Sequence, residues 1–367
     1  MRISVYSRFH NFDWEILISS AFLILIGCAT LYSLELNKQQ PDFSLLIRQA
    51  SAAFLGFFLL AACLFFDFRH LRDYAYILYG FSLAALIAVL FLGATIRGTT
   101  GWFSFSGVTF QPVEAFKIFF IVALAKFFSS IRTLNRPNTL FTALSFLAAP
   151  GILILLQPDL GSFIVLCAIF AGYLFLMKLR RVLILSFILA TLLAGVIGWQ
   201  FLAPYQKDRI QSYFNPEQNQ KAGSYNVTQS KIAIGSGRFF GRGLGLGTQS
   251  SLHFLPEEET DFIFAVISES LGFTGGGLLI ALYAFLLSRI MRLASRAHDA
   301  FGSEIAFGIF FWFAFQGFAN IGMNLGLVPV FGVPLPFVSY GGSSLLASIV
   351  AIGVLESVAL FAPQRTV

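Results

Sequence analysis

A few ionisable and amide residues interrupt the long apolar stretches of this chain, and their spacing could support chemistry. Asp261 stands at the start of an apolar run, and Glu269 follows about 80° further round a helix axis. That spacing predicts that both carboxylates face one cavity. A carboxylate without metal-binding histidines or a Ser or Cys triad is typical of a general base that takes a proton from an attacking hydroxyl.

Glu114 and Lys117 form a second candidate site. They are three residues apart, so they lie on one face of a predicted helix and can pair. Charges inside apolar spans are costly and are therefore functional candidates. Two roles fit this pair: an ion pair that fixes helix packing, or a pair that supports the reaction.

Amide side chains form a third group. Gln316, Asn320 and Asn324 recur every four residues and make a ladder along one predicted helix. Such amides either hydrogen-bond neighbouring membrane helices or hold a polar substrate. The spacing alone leaves both roles open.

The segment Gly235–Gly247, here called the glycine segment, superficially matches phosphate-binding loops. No strand precedes it and no βαβ unit fits, which excludes a nucleotide-binding fold. Its backbone N–H groups, with Arg238 and Arg242, could bind a pyrophosphate, and a flexible loop folded over the protein fits equally well. The following run Glu257–Glu259 is typical of a solvated acidic patch.

Composition places these residues in a membrane protein. Of 367 residues, 57% are hydrophobic and 11% are charged, against roughly 25% charged residues in a soluble domain. The 45 Phe residues, and apolar runs near the ~20 residues that cross a hydrocarbon core, indicate one helical bundle. The sequence therefore predicts an all-α integral membrane protein, with one polytopic domain over residues 1–367.

Charged residues divide the apolar sequence into about ten predicted transmembrane helices. Their ranges are 14–34, 45–66, 74–93, 111–128, 139–156, 160–177, 182–202, 261–287, 303–326 and 342–361. A long loop of about residues 203–260 separates the seventh span from the eighth.

Positive charges predict the orientation. With the N-terminus inside, the cytoplasmic segments hold 14 of the 24 Lys and Arg residues, and the short outer loops hold only Lys38 and Arg97. Because cytoplasmic loops carry such an excess, we expect both termini in the cytoplasm and the 203–260 loop outside. The net charge of +6 follows from this orientation, so we expect no nucleic-acid partner.

The polar segments rich in glycine or proline then all fall on the outer side. They are 97–114, 157–162, 203–260 and 327–344. Non-helical backbone at membrane depth persists only where it is buried in protein or lines a cavity, which favours a built site there. At this depth a base such as Asp261 suits inverting glycosyl transfer, with a lipid-linked pyrophosphate as the leaving group.

Motifs run in order through nearly the whole chain. The main ones are FQPVE at 110–114 with Lys117, QPDLGS at 157–162, TDFIFA at 260–265 and VPLPFVSYGGSS at 333–344. Others lie at 205–210, 215–216, 225–226, 229–237, 247–249, 254–257 and 320–323. On these motifs the sequence resembles the SEDS family (shape, elongation, division and sporulation proteins), and its RodA-like members more than FtsW.

The resemblance implies a peptidoglycan glycosyltransferase with a role in cell shape, in the bacterial cytoplasmic membrane. It would polymerise lipid II, the undecaprenyl-pyrophosphate disaccharide-pentapeptide, at the outer face. Asp261 is implied as the base for the acceptor 4-hydroxyl, with Glu114 and Lys117 supporting it. The motif positions that we take as further supporting or substrate-binding residues are Gln111, Asp159, Lys231, Arg238, Gln249, Glu269, Asn320 and Ser343.

The resemblance also implies a partner and a cofactor. The partner is a class B penicillin-binding protein, a transpeptidase whose single membrane helix packs beside the bundle. Some family members use a divalent cation, Mg²⁺ or Mn²⁺, for which the sequence identifies no ligands.

Three positions depart from the family pattern. Gly101 stands where the family usually has the arginine of a Gly-x-x-Arg-Trp motif, and Arg97 could substitute from four residues back. Val113 replaces the Ser of a QPSE motif, and Ser270 replaces the second Glu of a Glu-Glu pair. The first departure is the most consequential, because that arginine could hold a phosphate or order the loop.

Two other functions remain open. Many spans and buried charges fit a lipid flippase or transporter, although no clear internal repeat with paired broken helices is present. The missing arginine fits a non-catalytic scaffold for a penicillin-binding protein, and Asp261 argues against that role.

Overall fold

The computed structural model describes residues 12–36, 41–96, 98–105, 108–131, 137–177, 222–252 and 254–361, with isolated positions from 200 to 214. Within these residues the chain is a bundle of long helices, as the composition predicts. Arg97 and, apart from residue 200, the predicted seventh span lie outside the described residues.

The long helices follow the predicted spans closely. They are α1 (Trp14–Glu35), α2 (Ser44–Phe65), α3 (Arg69–Leu92), α4 (Pro112–Ser130), α5 (Pro137–Leu156), α6 (Leu160–Leu176), α9 (Ile263–Arg296), α10 (Ala300–Leu325) and α11 (Gly342–Phe361). Two further helices, α7 (Ala222–Ser236) and α8 (Thr248–Ser251), lie within the predicted outer loop. Seven of the described helices are long and apolar enough to cross a membrane, and α6 is apolar but shorter.

Local signals set several helix ends. Asp159 and Asp299 each accept a backbone hydrogen bond at the start of α6 and α10. Pro112 opens α4, where a missing N–H costs nothing. Gly326 ends α10 in the left-handed conformation, with φ 71°. The start of α4, the start of α6 and the segment after Gly326 consequently meet at one end of the bundle.

The first outer segment corrects the expectation of an irregular loop. It folds into a three-stranded antiparallel sheet of β1 (Ala94–Ile96), β2 (Thr99–Phe105) and β3 (Val108–Phe110). Threonine and aromatic residues favour strands, and Phe103 of β2 lies opposite Phe110 of β3. Strand pairing satisfies part of the backbone hydrogen bonding of this segment, and the Thr100 N–H donates to the Gln157 carbonyl at 3.3 Å.

Burial separates a central helix from peripheral ones. Most residues of α4 are buried, from Pro112 to Phe128. By contrast, α2 and α3 expose large apolar side chains such as Phe54 (79%) and Phe91 (82%). In a membrane those faces meet lipid, so the polar residues of α4 are shielded from lipid by the other helices.

The opposite end of the bundle carries an ion cluster. Arg289 of α9 lies 3.0 Å from Asp13 and 2.9 Å from Glu15, at the start of α1. The backbone N–H of Asp13 donates to Glu356 of α11 at 3.0 Å. The first helix therefore begins, and the last helix ends, at the same end of the bundle, which agrees with termini on one side of the membrane.

Candidate active site

A cavity of about 230 Å³ opens at the end of the bundle formed by the predicted outer segments. Its wall includes Ile96, Thr99 and Trp102 of the sheet region and residues 329–334 after α10. The cavity brings together five of the site residues that the motifs implied, which are Gln111, Glu114, Asp159, Asp261 and Ser343. These residues come from four separate parts of the chain, so only the fold makes them neighbours.

The buried pair of Glu114 and Lys117 lies beside this cavity. The Nζ atom of Lys117 is 2.8 Å from both carboxylate oxygens of Glu114, so the predicted pairing is confirmed. Lys117 is only 1% exposed and does not line the cavity, and its Nζ lies 5.0 Å from the ring centroid of Trp312. Glu114 therefore lines the cavity, and the buried Lys117 neutralises its charge.

Asp159 holds the start of α6 against the start of α4. Its carboxylate accepts hydrogen bonds from the Ser162 hydroxyl at 2.7 Å and from Gln111 Nε2 at 3.1 Å. The backbone N–H of Gln111 donates to the Ser343 hydroxyl at 3.1 Å. Three predicted site residues thus form one hydrogen-bonded wall.

The amide ladder fixes the backbone of Asp261. Nδ2 of Asn320 donates to the Asp261 carbonyl at 3.0 Å, and Nδ2 of Asn324 donates to the same carbonyl at 2.9 Å. Asn320 also donates to the carbonyl of Val333 at 2.9 Å. Asn320 and Asn324 are fully buried, so they position the backbone around Asp261 and do not line the cavity.

The segment after α10 is also tied to the start of α9. Ser339 donates from its hydroxyl to the Thr260 carbonyl at 2.6 Å, and the Tyr340 N–H donates to the Glu259 carbonyl at 2.8 Å. Gln49 of α2 donates to the Ser339 carbonyl at 3.0 Å and accepts from the Gly341 N–H at 3.2 Å. These bonds hold both walls of the cavity in place.

The expectation that Glu269 shares a cavity with Asp261 is wrong for the cavity that Asp261 lines. Glu269 is fully buried, and its carboxylate accepts the backbone N–H groups of Gln249 at 2.8 Å and Ser250 at 3.1 Å. It binds the start of α8 as an anion binds a helix N-terminus. Glu269 and Gln249 therefore secure the outer loop, away from the cavity.

The glycine segment likewise differs from the predicted pyrophosphate cradle. The N–H groups of Arg242 and Gly243 donate to the carbonyls of Glu269 and Ser270, each at 3.0 Å. These carbonyls are accessible because α9 is broken at Gly272, which has φ 68°. The backbone donors of this part of the segment already bind α9, so they cannot bind a phosphate.

The basic residues in and near the glycine segment also lie outside the cavity wall. Lys231, Arg238 and Arg242 are exposed, and none of them lines the Asp261 cavity. Arg242 donates from Nε to the Ser236 carbonyl at 3.2 Å. The structure does not bring these cations to the predicted base.

The sequence did not identify Glu257 as a cavity residue, and it left the role of Gln316 open. Glu257 lines it beside Asp261, and Glu258 is only 6% exposed, so the run 257–259 is not simply a solvated patch. Gln316 also lines the cavity, unlike the other two amides of its ladder. The sequence signals for Glu257 were its closeness to Asp261 and its place in the motif at 254–257, and helical periodicity could not tell which amide faced the opening.

The departure at Gly101 lies close to this wall. A Cβ atom at Gly101 would lie 3.2 Å from Oε1 of Gln157 and 3.9 Å from Nε2 of Gln111. The neighbouring Trp102 lines the cavity. An arginine at this position would start next to the hydrogen-bonded wall that Gln111 helps to form.

The described residues form no cluster of side chains that could hold a metal ion on its own. The described part of the chain contains no group of three or more His, Cys, Asp or Glu side chains that could hold a metal ion. Within the cavity, Glu114 binds Lys117, and Asp159 accepts from Gln111 and Ser162. The use of a divalent cation, Mg²⁺ or Mn²⁺, stays a prediction.

A family model for cell cycle proteins, FtsW/RodA/SpoVE, matches residues 13–364. The chain belongs to the FtsW/RodA/SpoVE family. It is 35% identical over 358 residues to the probable peptidoglycan glycosyltransferase FtsW of Nitrosomonas europaea, covering 93% of this chain and 91% of that protein. It is 36% identical over 320 residues to the peptidoglycan glycosyltransferase MrdB of Escherichia coli K12, covering 86% of each.

A solved structure agrees with this FtsW/RodA/SpoVE membership. A chain of a peptidoglycan synthase complex, studied for the structural coordination of polymerization and crosslinking, matches with a TM-score of 0.80. The identity is 31%, and the match covers 95% of this chain and 97% of that chain. The family resemblance is confirmed, whereas the preference for RodA-like members stays a prediction, because the two curated relatives are about equally similar.

Proposed function

We propose that this FtsW/RodA/SpoVE family member is a peptidoglycan glycosyltransferase that polymerises lipid II at the outer face of the bacterial cytoplasmic membrane. The observation that carries the proposal is the single cavity that Asp261 lines together with Glu257, Glu114 and Asp159. The curated relatives FtsW and MrdB, named as peptidoglycan glycosyltransferases, support the reaction class.

In this reaction Asp261 takes the proton of the acceptor sugar's 4-hydroxyl. The oxygen then attacks the anomeric carbon of the donor chain from the face opposite the leaving group. The bond between that carbon and the pyrophosphate oxygen breaks, and undecaprenyl pyrophosphate leaves with the bonding electrons. One base and one displacement invert the anomeric centre, and no covalent enzyme intermediate is required.

The rest of the cavity has supporting roles in this proposal. Glu114, neutralised by Lys117, accepts hydrogen bonds from sugar hydroxyls without adding a full negative charge. Gln111, Asp159 and Ser343 keep the opposite wall rigid. Because Asn320 and Asn324 hold its backbone carbonyl, Asp261 is positioned before substrate arrives.

The partner in the proposal is a class B penicillin-binding protein. The similarity to a chain of a peptidoglycan synthase complex supports it. The exposed apolar faces of the outer helices offer surface on which a single membrane helix could pack.

Purified protein, with and without its penicillin-binding partner, should be incubated with lipid II and assayed for glycan polymer. We expect wild type to make polymer and Asp261→Asn to lose about 10²- to 10⁴-fold in rate, the usual contribution of general base catalysis. The variant should remain folded and partner-bound, since the bonds from Asn320 and Asn324 to the backbone carbonyl of residue 261 are kept.

Other outcomes contradict the proposal in distinct ways. Polymer formation by Asp261→Asn at the wild-type rate would remove this residue as the base. Lipid translocation without polymer would favour a flippase. Partner binding without either activity would favour a scaffold.

A further inference from the structure

Gln316 of α10 has a donor that the proposed reaction does not use. The side chain is 1% exposed, yet it lines the cavity that contains Asp261. Nε1 of the fully buried Trp312, one helical turn away, donates a hydrogen bond to Oε1 of Gln316. This is the one hydrogen bond of the Gln316 side chain within the described residues.

That bond determines which end of the amide faces the cavity. An indole N–H can only donate, so the atom that it contacts must be the amide oxygen and not the nitrogen. The Nε2 group, with its two N–H donors, is therefore directed away from Trp312. Because Gln316 lines the cavity, a ligand there that carries an acceptor group can bind these donors.

The other cavity residues indicate what such a ligand offers. Four carboxylates line the cavity, those of Glu114, Asp159, Glu257 and Asp261. No Lys or Arg among the described residues lines it. Carboxylates accept hydrogen bonds from sugar hydroxyls and repel phosphates. The cavity therefore suits a neutral sugar better than a pyrophosphate.

Most neighbouring side-chain donors are already engaged. They are Trp102 Nε1 with Thr99, the Thr99 hydroxyl with Ile96, Gln111 Nε2 and the Ser162 hydroxyl with Asp159, and the Thr260 hydroxyl with Glu257. A sugar's acetamido carbonyl can only accept a hydrogen bond, so it needs a donor. Gln316 offers one whose orientation is set in advance by Trp312.

We propose that Gln316 donates a hydrogen bond from Nε2 to the acetamido carbonyl of an N-acetylated sugar, and so selects N-acetylated substrate. This inference rests on the proposed glycosyltransferase function and adds a specificity residue to it. The Nζ atom of Lys117 lies over the Trp312 ring, 5.0 Å from its centroid, so the same indole contacts both the buried ion pair and Gln316.

The test uses the full-length protein with its penicillin-binding partner, lipid II, and two neutral lipid II analogues. In each analogue a hydroxyl replaces the acetamido group of one of the two sugars. We expect wild type to use at least one analogue about 10-fold less efficiently in kcat/KM, as for a lost hydrogen bond. Gln316→Leu should lower kcat/KM for lipid II and use that analogue and lipid II about equally.

Two further variants separate selection from a structural role. Gln316→Glu keeps an acceptor for Trp312 but removes the donor, so it should also lose the preference for lipid II. Gln49→Leu is the matched control, because Gln49 is an equally buried amide whose contacts are with the 339–341 backbone and which does not line the cavity. Gln49→Leu should keep the wild-type preference, whatever its rate.

Wild-type use of both analogues at the rate of lipid II would overturn this inference and leave the glycosyltransferase proposal intact. Retention of the wild-type preference by folded Gln316→Leu or Gln316→Glu would also overturn it. Absence of polymer from lipid II itself would instead overturn the proposed function. The three outcomes are therefore distinguishable.

Discussion

In the sequence, the region around Asp261 and the glycine segment are both candidates for binding a phosphate-linked sugar. In the structure, their polar groups are arranged in opposite ways. In the cavity, polar side chains from α4, α6 and α10 face open volume. In the glycine segment, the backbone N–H groups of Arg242 and Gly243 are bound to carbonyls of the broken helix α9, and others are bound within the segment. One region is built to receive a ligand, and the other is closed on its own protein.

Gly237 and Gly241 of the segment, and Gly272 of α9, allow close packing of two backbones. A Cβ atom at Gly237 would lie 2.0 Å from the Ser268 carbonyl oxygen, and one at Gly272 would lie 2.3 Å from the Gly241 nitrogen. Only glycine permits such an approach. A glycine-rich sequence therefore indicates backbone proximity, and only the fold tells whether a ligand or another segment comes close.

Replacement of Lys117 by Met should have the largest effect on stability. It tests whether the ion pair beside the cavity stabilises the protein. The change leaves the Glu114 carboxylate buried without its counterion. Breaking one partner of a buried ion pair costs about 3–5 kcal/mol. Thermal unfolding of the detergent-solubilised protein should show a correspondingly lower midpoint.

The double variant Glu114→Gln/Lys117→Met is the control for that prediction. It removes both charges, so most of the lost stability should return. Equal destabilisation by the single and double variants would show that packing around Lys117, and not its charge, supports this side of the cavity.

Replacement of Gly241 by Ala should have a smaller effect and tests the closed region. Gly241 has φ 84°, and its added Cβ would lie 2.2 Å from the Ser270 carbonyl oxygen. Backbone strain of this kind costs about 1–3 kcal/mol. The unfolding midpoint should fall, and hydrogen exchange should increase around the break in α9.

Gly235→Ala provides the matched control within the same segment. Gly235 lies in α7, and nothing stands within 4 Å of an added Cβ. Alanine should stabilise the helix there by about 0.5–1 kcal/mol. If both substitutions had the same effect, close packing would not explain the glycines.

Replacement of Arg238 or Arg242 by Ala should have the smallest effect. It tests the conclusion that the glycine segment lies outside the substrate site. Both side chains are exposed and neither lines the cavity. Exposed substitutions usually change stability by less than about 0.5 kcal/mol, and polymer formation from lipid II should stay close to wild type. A large loss of polymer with either folded variant would restore the glycine segment as part of the substrate site.

Much of the helical framework follows from the sequence alone. Hydrophobic run length predicted α1 to α6 and α9 to α11, because a membrane-crossing helix needs a continuous apolar stretch. The Glu114–Lys117 pair was also predictable, since residues three apart on one helix are neighbours whatever surrounds them. Local spacing was sufficient in both cases.

The sequence was less informative about the direction in which each polar side chain faces. Helical spacing allowed Glu269 to share a cavity with Asp261, but the left-handed Gly272 just beyond Glu269 breaks α9, and the outer loop pairs with the carbonyls around the break. The same spacing could not show that Gln316 faces the cavity while Asn320 and Asn324 hold backbone. Irregular backbone and helix rotation are properties of the packed chain.

By itself, the sequence determined that this protein is a helical membrane bundle with its unusual polar residues concentrated at one end. Those properties depend on hydropathy and on contacts between near neighbours, which the order of residues specifies directly. The tertiary structure alone decided that Asp261, Glu114 and Asp159 share one cavity while Glu269 and the glycine segment do not. That division arises because long-range hydrogen bonds and backbone packing select which polar groups are used up inside the protein and which remain open to a substrate.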